Sequence, residues 1–359
     1  MNEKKTHPLD EKRILITGGT GSLGKSLVRR LLSGQAGKPK KIIVFSRDEA
    51  KQHAMRVEYL QRRAATDEVI YHNFERLLEF RIGDVRDFHS ISGVLGDADV
   101  VFNAAALKQV PACEYFPFEA VRTNIEGPQN IVRAIHEHHL PVETVVGIST
   151  DKACKPVNVM GMTKAIQERV FIRANLDCPR TRFVCVRYGN VLASRGSVIP
   201  LFHEQIAAGG PVTITTDDMT RFLLSLERAV DVILAAISGA LAGETYIPQV
   251  PASRVMDVAR ALIGSRKVPI EITGIRPGEK VHEILVSEEE AHRTIQRDGY
   301  YVIRSILPEL QHGPAIEPAL SNEYSSADSL MTFDQVAELL EREKLLVDDA
   351  SSNQGELLR

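Results

Sequence analysis

Three residues able to transfer protons lie close together in the middle of the chain. Asp151 and Lys152 are adjacent and directly follow an apolar run at 143–149, and Lys164 comes a few helical turns later. A carboxyl and an amine side by side can act as acid and base if burial and neighbouring charges shift their pKa values. On its own, an adjacent Asp-Lys pair is more typical of a solvated loop, so its meaning depends on the surrounding segments.

A glycine-rich loop lies near the N-terminus, between an apolar run at 13–16 and a helical pattern at 25–32. Glycines spaced three residues apart permit a tight turn and let backbone amides approach a pyrophosphate at the positive N-terminus of the helix. Because the loop joins a strand to a helix at the start of an alternating series, it predicts a dinucleotide-binding site. The expected contacts are Gly18, Thr20, Gly21, Ser22, Leu23 and Gly24.

The tip of the second predicted strand, at 41–46, indicates which dinucleotide binds. An NAD site usually has a carboxylate there that bonds the ribose 2′-hydroxyl. This chain has Arg47, with Lys51 one turn later, and two cations suit a 2′-phosphate. NADP is therefore favoured, while Asp48 keeps NAD open. Asp84, at the end of another strand, is placed to bond the adenine. The residues assigned to this part of the cofactor are Ser46, Arg47, Asp48, Lys51, Asp84 and Val85.

Strand-like and helix-like segments that could position these residues alternate through the first half. Apolar or β-branched runs at 99–104, 143–149 and 181–187 are separated by helical patterns such as 118–139, which Pro128 should interrupt. Such alternation is typical of βαβ units in a parallel sheet with helices on both faces. The sequence therefore predicts an α/β fold with a doubly wound parallel Rossmann sheet.

Six short segments carry a resemblance to a known family. They are 104–108 (AAALK), 149–153 (STDKA), 187–191 (RYGNV), 194–197 (SRGS), 219–222 (MTRF) and 276–280 (RPGEK). With the glycine loop, they resemble the extended short-chain dehydrogenase/reductases. More narrowly, they resemble the bacterial UDP-N-acetylglucosamine 4,6-dehydratases of surface-polysaccharide biosynthesis. The matches occur in family order over nearly the whole chain, which makes the resemblance specific.

The resemblance implies a lyase reaction in three steps. Hydride passes from C-4 of the sugar to a bound nicotinamide, water is eliminated across C-5 and C-6, and the hydride returns to C-6. By resemblance, Asp151 protonates the leaving hydroxyl and Lys152 removes the C-5 proton. Thr150 orients the C-4 oxygen, and Lys164 bonds the nicotinamide ribose. The further cofactor contacts implied are Ala104, Ala105, Ala106, Lys108, Asn124, Tyr188 and Asn190.

Residue 160 departs from the superfamily pattern, in which a tyrosine four residues before the lysine is the general base. Met160 lies on the same helical face as Lys164, but a thioether can neither hold nor release a proton. Some dehydratases of this family carry Met at the corresponding catalytic position and remain active. We expect Asp151, Lys164 or a bound water to take the C-4 proton. Several Met-bearing members retain the configuration at C-5, so we expect retention rather than inversion.

The second half of the chain supplies the residues that, by resemblance, bind UDP-N-acetylglucosamine. Arg221 and Arg276 would contact the diphosphate and ribose region, because guanidinium groups suit phosphate oxygens. Asn190 would bond the nucleotide-sugar, Glu279 the uridine ribose, and Lys108 the sugar end.

The expected domain organisation follows from these assignments. We expect an NAD(P)-binding Rossmann domain at 1–187, a smaller α/β substrate-binding domain at 188–347 that mainly holds the nucleotide-sugar, and a flexible tail at 348–359. Relatives associate through helices of the sheet domain, so we also expect a homo-oligomer.

Composition excludes several other classes of protein. The chain of 359 residues has 44 Lys and Arg against 47 Asp and Glu, a net charge of −3, which argues against nucleic-acid binding by phosphate neutralisation. Because no apolar run reaches the ~18 residues of a membrane span, we expect no membrane insertion. With a polar N-terminus that lacks a secretory signal, we expect a cytoplasmic protein. None of the four cysteines forms a Cys-x-x-Cys pair, so no metal site is expected.

Two other classes of function stay open. A nucleotide-sugar C-4 epimerase or a plain oxidoreductase needs the same fold but not the Asp151–Lys152 pair, and usually keeps the tyrosine. A non-catalytic nucleotide-binding homologue would bind NADP and the UDP-sugar but catalyse no reaction. The Asp-Lys pair within its matched segment favours the dehydratase.

Overall fold

A computed structural model describes residues 7–61, 68–192, 197–311 and 317–347. The expected tail at 348–359 and most of the matched segment at 194–197 lie outside the described residues. The strands are β1 Arg13–Thr17, β2 Lys41–Ser46, β3 Leu78–Ile82, β4 Val100–Asn103, β5 Thr144–Ile148, β6 Arg182–Val186, β7 Asn190–Val191, β8 Val212–Ile214, β9 Thr220–Leu224, β10 Thr245–Pro248, β11 Ala252–Arg254, β12 Ile270–Ile272, β13 Ile284–Val286, β14 Thr294–Arg297, β15 Tyr300–Ile303 and β16 Tyr324–Ser325.

The helices surround these strands. They are α1 Ser22–Leu32, α2 Glu49–Gln61, α3 Glu68–Leu77, α4 Phe88–Leu95, α5 Val110–Tyr115, α6 Pro117–Val121, α7 Gly127–His138, α8 Val159–Asp177, α9 Val198–Ala207, α10 Leu226–Gly239, α11 Val255–Ile263, α12 Glu288–Ala291 and α13 Phe333–Arg342.

The central sheet has nine strands in the order β14-β15-β10-β6-β5-β4-β1-β2-β3. The seven strands from β10 to β3 are parallel, which confirms the predicted Rossmann sheet. Strands β1, β4 and β5 are buried almost throughout, as expected for parallel strands covered on both faces.

One edge of the sheet was not predicted. Strand β15 pairs antiparallel with β10 and with β14, and the turn between β14 and β15 is formed by Asp298 and Gly299, both with positive φ. This two-residue turn matches the twist of a hairpin. Strands from beyond residue 187 therefore extend the sheet.

The two faces of the sheet pack against different helices. Ile14 and Ile16 of β1 point into a core that includes α1 and α10, while Leu15 points into a core formed with α4, α7 and α8. This alternation follows from the two-residue period of a strand. The sheet is therefore doubly wound, as predicted.

The helical stretch predicted at 118–139 is divided. Helix α6 leads into a π-helical turn at Arg122–Glu126, and α7 begins at Gly127 with Pro128 in its first turn. Proline suits a first turn because its missing N–H would have no partner inside the helix there. Pro128 therefore begins a helix rather than kinking one.

The second half builds a core of its own. Helices α9, α11 and α13 pack with β8 around buried apolar residues such as Phe202, Leu262 and Val336. Small sheets, β11-β9-β7 and β12-β8, cover this core. Within the described residues, no helix combines the length and apolarity of a membrane span. The same part of the chain contains no group of three His, Cys, Asp or Glu side chains suited to a metal.

Candidate active site

The catalytic candidates leave the sheet at the carboxyl end of β5. Ser149 N donates a hydrogen bond to Val186 O at 2.7 Å, and Asp151 N donates to Tyr188 O at 3.0 Å. The chain then turns through a short 3-10 helix at Asp151–Ala153. Because two strand ends hold this segment, the side chains of Thr150, Asp151 and Lys152 occupy fixed positions where doubly wound sheets bind their ligands.

Lys152 lies between two buried carboxylates. Its Nζ is 3.1 Å from Asp151 Oδ1 and 3.3 Å from Glu283 Oε1. Thr150 Oγ1 donates a hydrogen bond to the same Asp151 oxygen at 2.8 Å. We refer to Asp151, Lys152 and Glu283 as the site cluster.

Glu283 was not predicted from the sequence. It follows the matched segment at 276–280 by three residues and immediately precedes β13, and its exposed fraction is 2%. The available signal was a carboxylate just before an apolar strand, which is common on protein surfaces. Only the fold shows that this carboxylate faces Lys152.

The charges of the site cluster oppose the cost of burial. Burial lowers the pKa of Lys152, but Asp151 and Glu283 outweigh it, so the net shift is upward from the ordinary lysine value. Among the described residues, Asp151 Oδ2 and Glu283 Oε2 are buried without a hydrogen-bond partner. The cluster therefore keeps two acceptor atoms that the fold does not use.

Lys164 and Met160 lie on α8, next to the site cluster but not in it. Lys164 Nζ donates to Ile148 O and to Gln167 Oε1, the latter at 2.7 Å, and burial lowers its pKa to about 8. Met160 is buried against Cys113 and Ala120. Lys164 is thus held at the end of β5, while Met160 packs among apolar side chains.

The glycine loop forms a close-packed turn against the end of β4. Gly18 has a φ of +65°, and a Cβ on it would lie 2.8 Å from Ala105 N; a Cβ on Gly24 would lie 2.5 Å from Gly19 O. Ala105 N also donates to Thr17 Oγ1 at 3.2 Å. The predicted segment Ala104 to Ala106 therefore borders the loop. Thr20, Gly21, Ser22 and Leu23 complete the turn into α1. This is a cradle that side chains would fill, and it fits a pyrophosphate at a helix N-terminus.

The predicted adenosine contacts lie at the tips of β2 and β3 with partners of their own. Lys51 Nζ is 2.5 Å from Asp48 Oδ2, so these two charges neutralise each other. Asp84 accepts from Arg86 Nε at 2.8 Å, and Arg47 Nη1 is 3.7 Å from Asp84 Oδ2. The side chains of Arg47 and Lys51 are both about half exposed.

Four other predicted cofactor residues are buried or make hydrogen bonds within the protein. Ser46 accepts a hydrogen bond from Gln52, and buried Val85 packs against Gly127. Asn124 accepts from Leu107 N at 2.8 Å and donates to Leu107 O at 2.9 Å, which holds the loop after β4. Tyr188 is buried, and burial raises its pKa.

Four of the five predicted substrate residues, all except Lys108, line a cavity of about 610 Å³ beside the site cluster. Its polar lining includes Lys152, Asn190, Arg221, Arg276, Glu279 and Glu283. The Arg221 guanidinium donates to three backbone carbonyls, at Thr220, Lys280 and Val281. Glu279 accepts from Thr215 at 3.2 Å, and Asn190 Oδ1 is buried without a partner among the described residues. Arg276 is exposed on the cavity, and Lys108 is exposed in the loop between β4 and α5.

Comparison with known proteins assigns the family. Residues 14–305 match the model of the family described as "Polysaccharide biosynthesis protein". The chain belongs to this family. The chain is 41% identical to the UDP-N-acetylglucosamine 4,6-dehydratase (inverting) of Campylobacter jejuni, and the match covers 82% of this chain and 83% of that protein. It is 40% identical to a UDP-glucose 4-epimerase of Rickettsia bellii over 92% and 95%.

A solved structure supports the fold. The X-ray structure of Pen from Bacillus thuringiensis superimposes with a TM-score of 0.83 at 33% identity, covering 94% of this chain and 99% of that one.

The expectation of retention at C-5 is wrong. Two relatives that are 41% and 42% identical bear the name of the inverting dehydratase. Methionine at position 160 does not indicate retention, because the outcome depends on which ring face receives the proton.

Proposed function

We propose that this protein dehydrates UDP-N-acetylglucosamine to a UDP-4-keto-6-deoxy-N-acetylhexosamine for surface-glycan biosynthesis, with inversion at C-5. The observation that carries this proposal is the site cluster, in which Lys152 and Glu283 line the cavity formed mainly by the second half of the chain. An acid and a base side by side at that place are what elimination of water needs, and a simple C-4 epimerase has no use for them.

The contacts of Thr150 replace the missing tyrosine. As hydride leaves C-4, Thr150 Oγ1 receives the proton of the sugar hydroxyl and passes its own proton to Asp151 Oδ1, which is 2.8 Å away. Protonated Asp151 then gives that proton to the departing C-6 hydroxyl, which leaves as water. Lys152, once neutral, takes the proton from C-5. Inversion requires that a proton returns to C-5 on the face opposite Lys152.

The glycine loop and the tips of β2 and β3 would hold a nicotinamide dinucleotide. When bound, that group accepts hydride from C-4 and returns it to C-6. We favour NADP over NAD, because Arg47 is half exposed while Asp48 is paired with Lys51. Lys164 would bond the nicotinamide ribose after exchanging one of its present acceptors.

The substrate assignments follow the cavity lining. Arg221, fixed by three carbonyl groups, and exposed Arg276 are proposed for the diphosphate and ribose, Glu279 for the uridine ribose, and Asn190 for the nucleotide-sugar. Residues 188–347 are then mainly the nucleotide-sugar-binding part, and Lys108, in the loop after β4, is proposed for the sugar end.

The proposed homo-oligomer is supported by exposed apolar side chains on neighbouring helices. Tyr115, Phe116 and Phe118 on or beside α5 and α6, and Met162 and Ile166 on α8, are each at least 46% exposed. A second copy of the chain could cover these residues. Light scattering on the purified protein measures the molar mass directly.

Proton NMR tests the proposed function. The purified protein is incubated with UDP-N-acetylglucosamine in deuterated water, with catalytic NADP or NAD in parallel. We expect a new C-6 methyl signal, deuterium at C-5 and ring couplings of the inverted sugar, with faster conversion in NADP. A galacto-configured sugar without a methyl signal would instead favour the epimerase, the name carried by the relative from Rickettsia bellii.

A further inference from the structure

We propose that Glu283 is a positioning residue for Lys152. Its carboxylate fixes the Lys152 ammonium beside Asp151 and takes up the proton that Lys152 must lose before it can accept one from C-5. This inference rests on the dehydratase function proposed above.

The fold holds Glu283 rigidly in place. Its backbone N donates to Ser326 Oγ at 2.9 Å, and Ser326 N donates to the Glu283 carbonyl at 2.8 Å. Ser326 is fully buried and its Oγ also lies 2.7 Å from Thr220 Oγ1. The backbone of Glu283 is thus fixed, and its side chain is almost fully buried with Oε1 3.3 Å from Lys152 Nζ, so the carboxylate has little freedom to turn elsewhere.

Of Lys152 and Arg221, the two cations that form ion pairs with Glu283 in the described residues, Lys152 is the one that can exchange a proton with it. Arg221 Nε is 3.8 Å from Glu283 Oε1, but a guanidinium stays protonated. Lys280 also acts on the carboxylate, and its Nζ donates to Cys154 O at 2.6 Å. His282 is directed to Thr220 Oγ1 at 2.8 Å. Lys152 alone, among these described groups, contacts both Asp151 and Glu283.

The proton transfers balance over one turnover. Lys152 gives a proton to Glu283 and becomes neutral, then accepts the C-5 proton and returns to its charged state. Asp151 receives the C-4 hydroxyl proton through Thr150 and gives it to the departing water. Glu283 releases its proton to the solvent of the cavity, and C-5 takes up one solvent proton on its other face.

Lysine labelling tests the coupling without requiring any activity. The wild type, Glu283→Gln and Glu244→Gln are acetylated briefly at about pH 9, and the Lys152 peptide is quantified by mass spectrometry. Glu244 is a matched control, since it is a buried glutamate paired with Arg297 at 2.6 Å on the distant edge of the sheet. We expect Lys152 to react about tenfold faster in Glu283→Gln, because removing a counter-anion lowers its pKa and leaves more of the amine neutral. An unchanged rate overturns the proposal.

Kinetics test the catalytic consequence. We expect Glu283→Gln to lower kcat at least ~tenfold, with KM within about twofold, because the proton acceptor is lost but the substrate contacts are not. Glu283→Asp should recover part of kcat, and the folded Glu244→Gln should match the wild type. A Glu283→Gln enzyme with wild-type kcat overturns the proposal. If the wild type forms no methyl product, the dehydratase function fails, while labelling still decides whether Glu283 controls Lys152.

Discussion

Two buried charge clusters lie side by side at the carboxyl ends of β5 and β6, and they differ in how completely their atoms are paired. In the first, which we call the Arg187 cluster, Arg187 bridges Glu168 at 2.6 Å and Glu290 at 2.7 Å. Ser149 bonds Glu168, and Arg293 lies 3.7 Å from Glu290. The site cluster also has two carboxylates and, with Arg221, two cations.

The chain places these clusters on opposite sides of the same short segments. Ser149 points to the Arg187 cluster, and the next residues, Thr150 and Asp151, point to the site cluster. Likewise, Glu283 lies just before β13, and Glu290 lies in α12, which follows β13. Two groups of similar charge are therefore kept apart although the same two segments of the chain supply them.

The difference in pairing indicates a difference in role. Arg187 donates to both carboxylates and to Leu285 O, and these bonds join β6, α8 and the segment around α12. In the site cluster, one oxygen each of Asp151 and Glu283 has no partner among the described residues. A fully paired cluster holds the two halves of the chain together, whereas one with open acceptors can receive protons.

The largest expected effect separates the two clusters by stability. Arg187→Met leaves two buried carboxylates without their guanidinium and should reduce the free energy of unfolding by about 3–5 kcal/mol. Lys152→Met should cost less than half as much, because the Lys152 side chain is 20% exposed whereas that of Arg187 is 3% exposed. Urea unfolding of both variants measures the difference. Equal losses would show that the two clusters stabilise the fold alike.

The free energy of unfolding should depend on pH through Glu290 of the Arg187 cluster. Burial raises the pKa of Glu290, but Arg187 more than offsets this and lowers it to about 2, against an ordinary value of 4.5. A depressed carboxyl pKa stabilises the fold above the unfolded value and loses that contribution as pH falls toward the folded value. Between pH 5 and 3, the wild type should lose about 2 kcal/mol more than Glu290→Gln. Urea unfolding at the two pH values measures the loss. If the wild type and Glu290→Gln lost the same free energy of unfolding, the pH dependence would not come from Glu290.

A smaller effect should come from Lys164, a buried cation whose two acceptors, Ile148 O and Gln167, are neutral. Burial lowers its pKa to about 8, whereas the carboxylates beside Lys152 raise that of Lys152. Between the folded value and the unfolded value of 10.5, the unfolded chain binds more protons, so stability should rise with pH. We expect a gain of about 1 kcal/mol from pH 8 to 9 in the wild type and none in Lys164→Met. A rise that persists in Lys164→Met would assign it to another group.

The sequence was most informative where the signal is local. The glycine loop, the buried parallel strands and the Asp151–Lys152 pair each depend on neighbouring residues, and the structure brings the corresponding segments to one edge of the sheet. The hairpin of β14 and β15 was missed because its pairing with β10 joins distant segments. Glu283 was missed for the same reason: its partner Lys152 belongs to another part of the chain, and a glutamate before a strand carries no signal of burial.

The most direct test of the account uses Lys152→Met, because the central claim is that the site cluster performs the elimination. The variant is mixed with UDP-N-acetylglucosamine and stoichiometric NADP, and both the absorbance of reduced nicotinamide and the C-6 methyl signal are followed. We predict that reduced nicotinamide and a 4-keto sugar form while the methyl signal stays absent, since hydride transfer at C-4 does not use Lys152. A methyl signal that grows at the wild-type rate would contradict the claim.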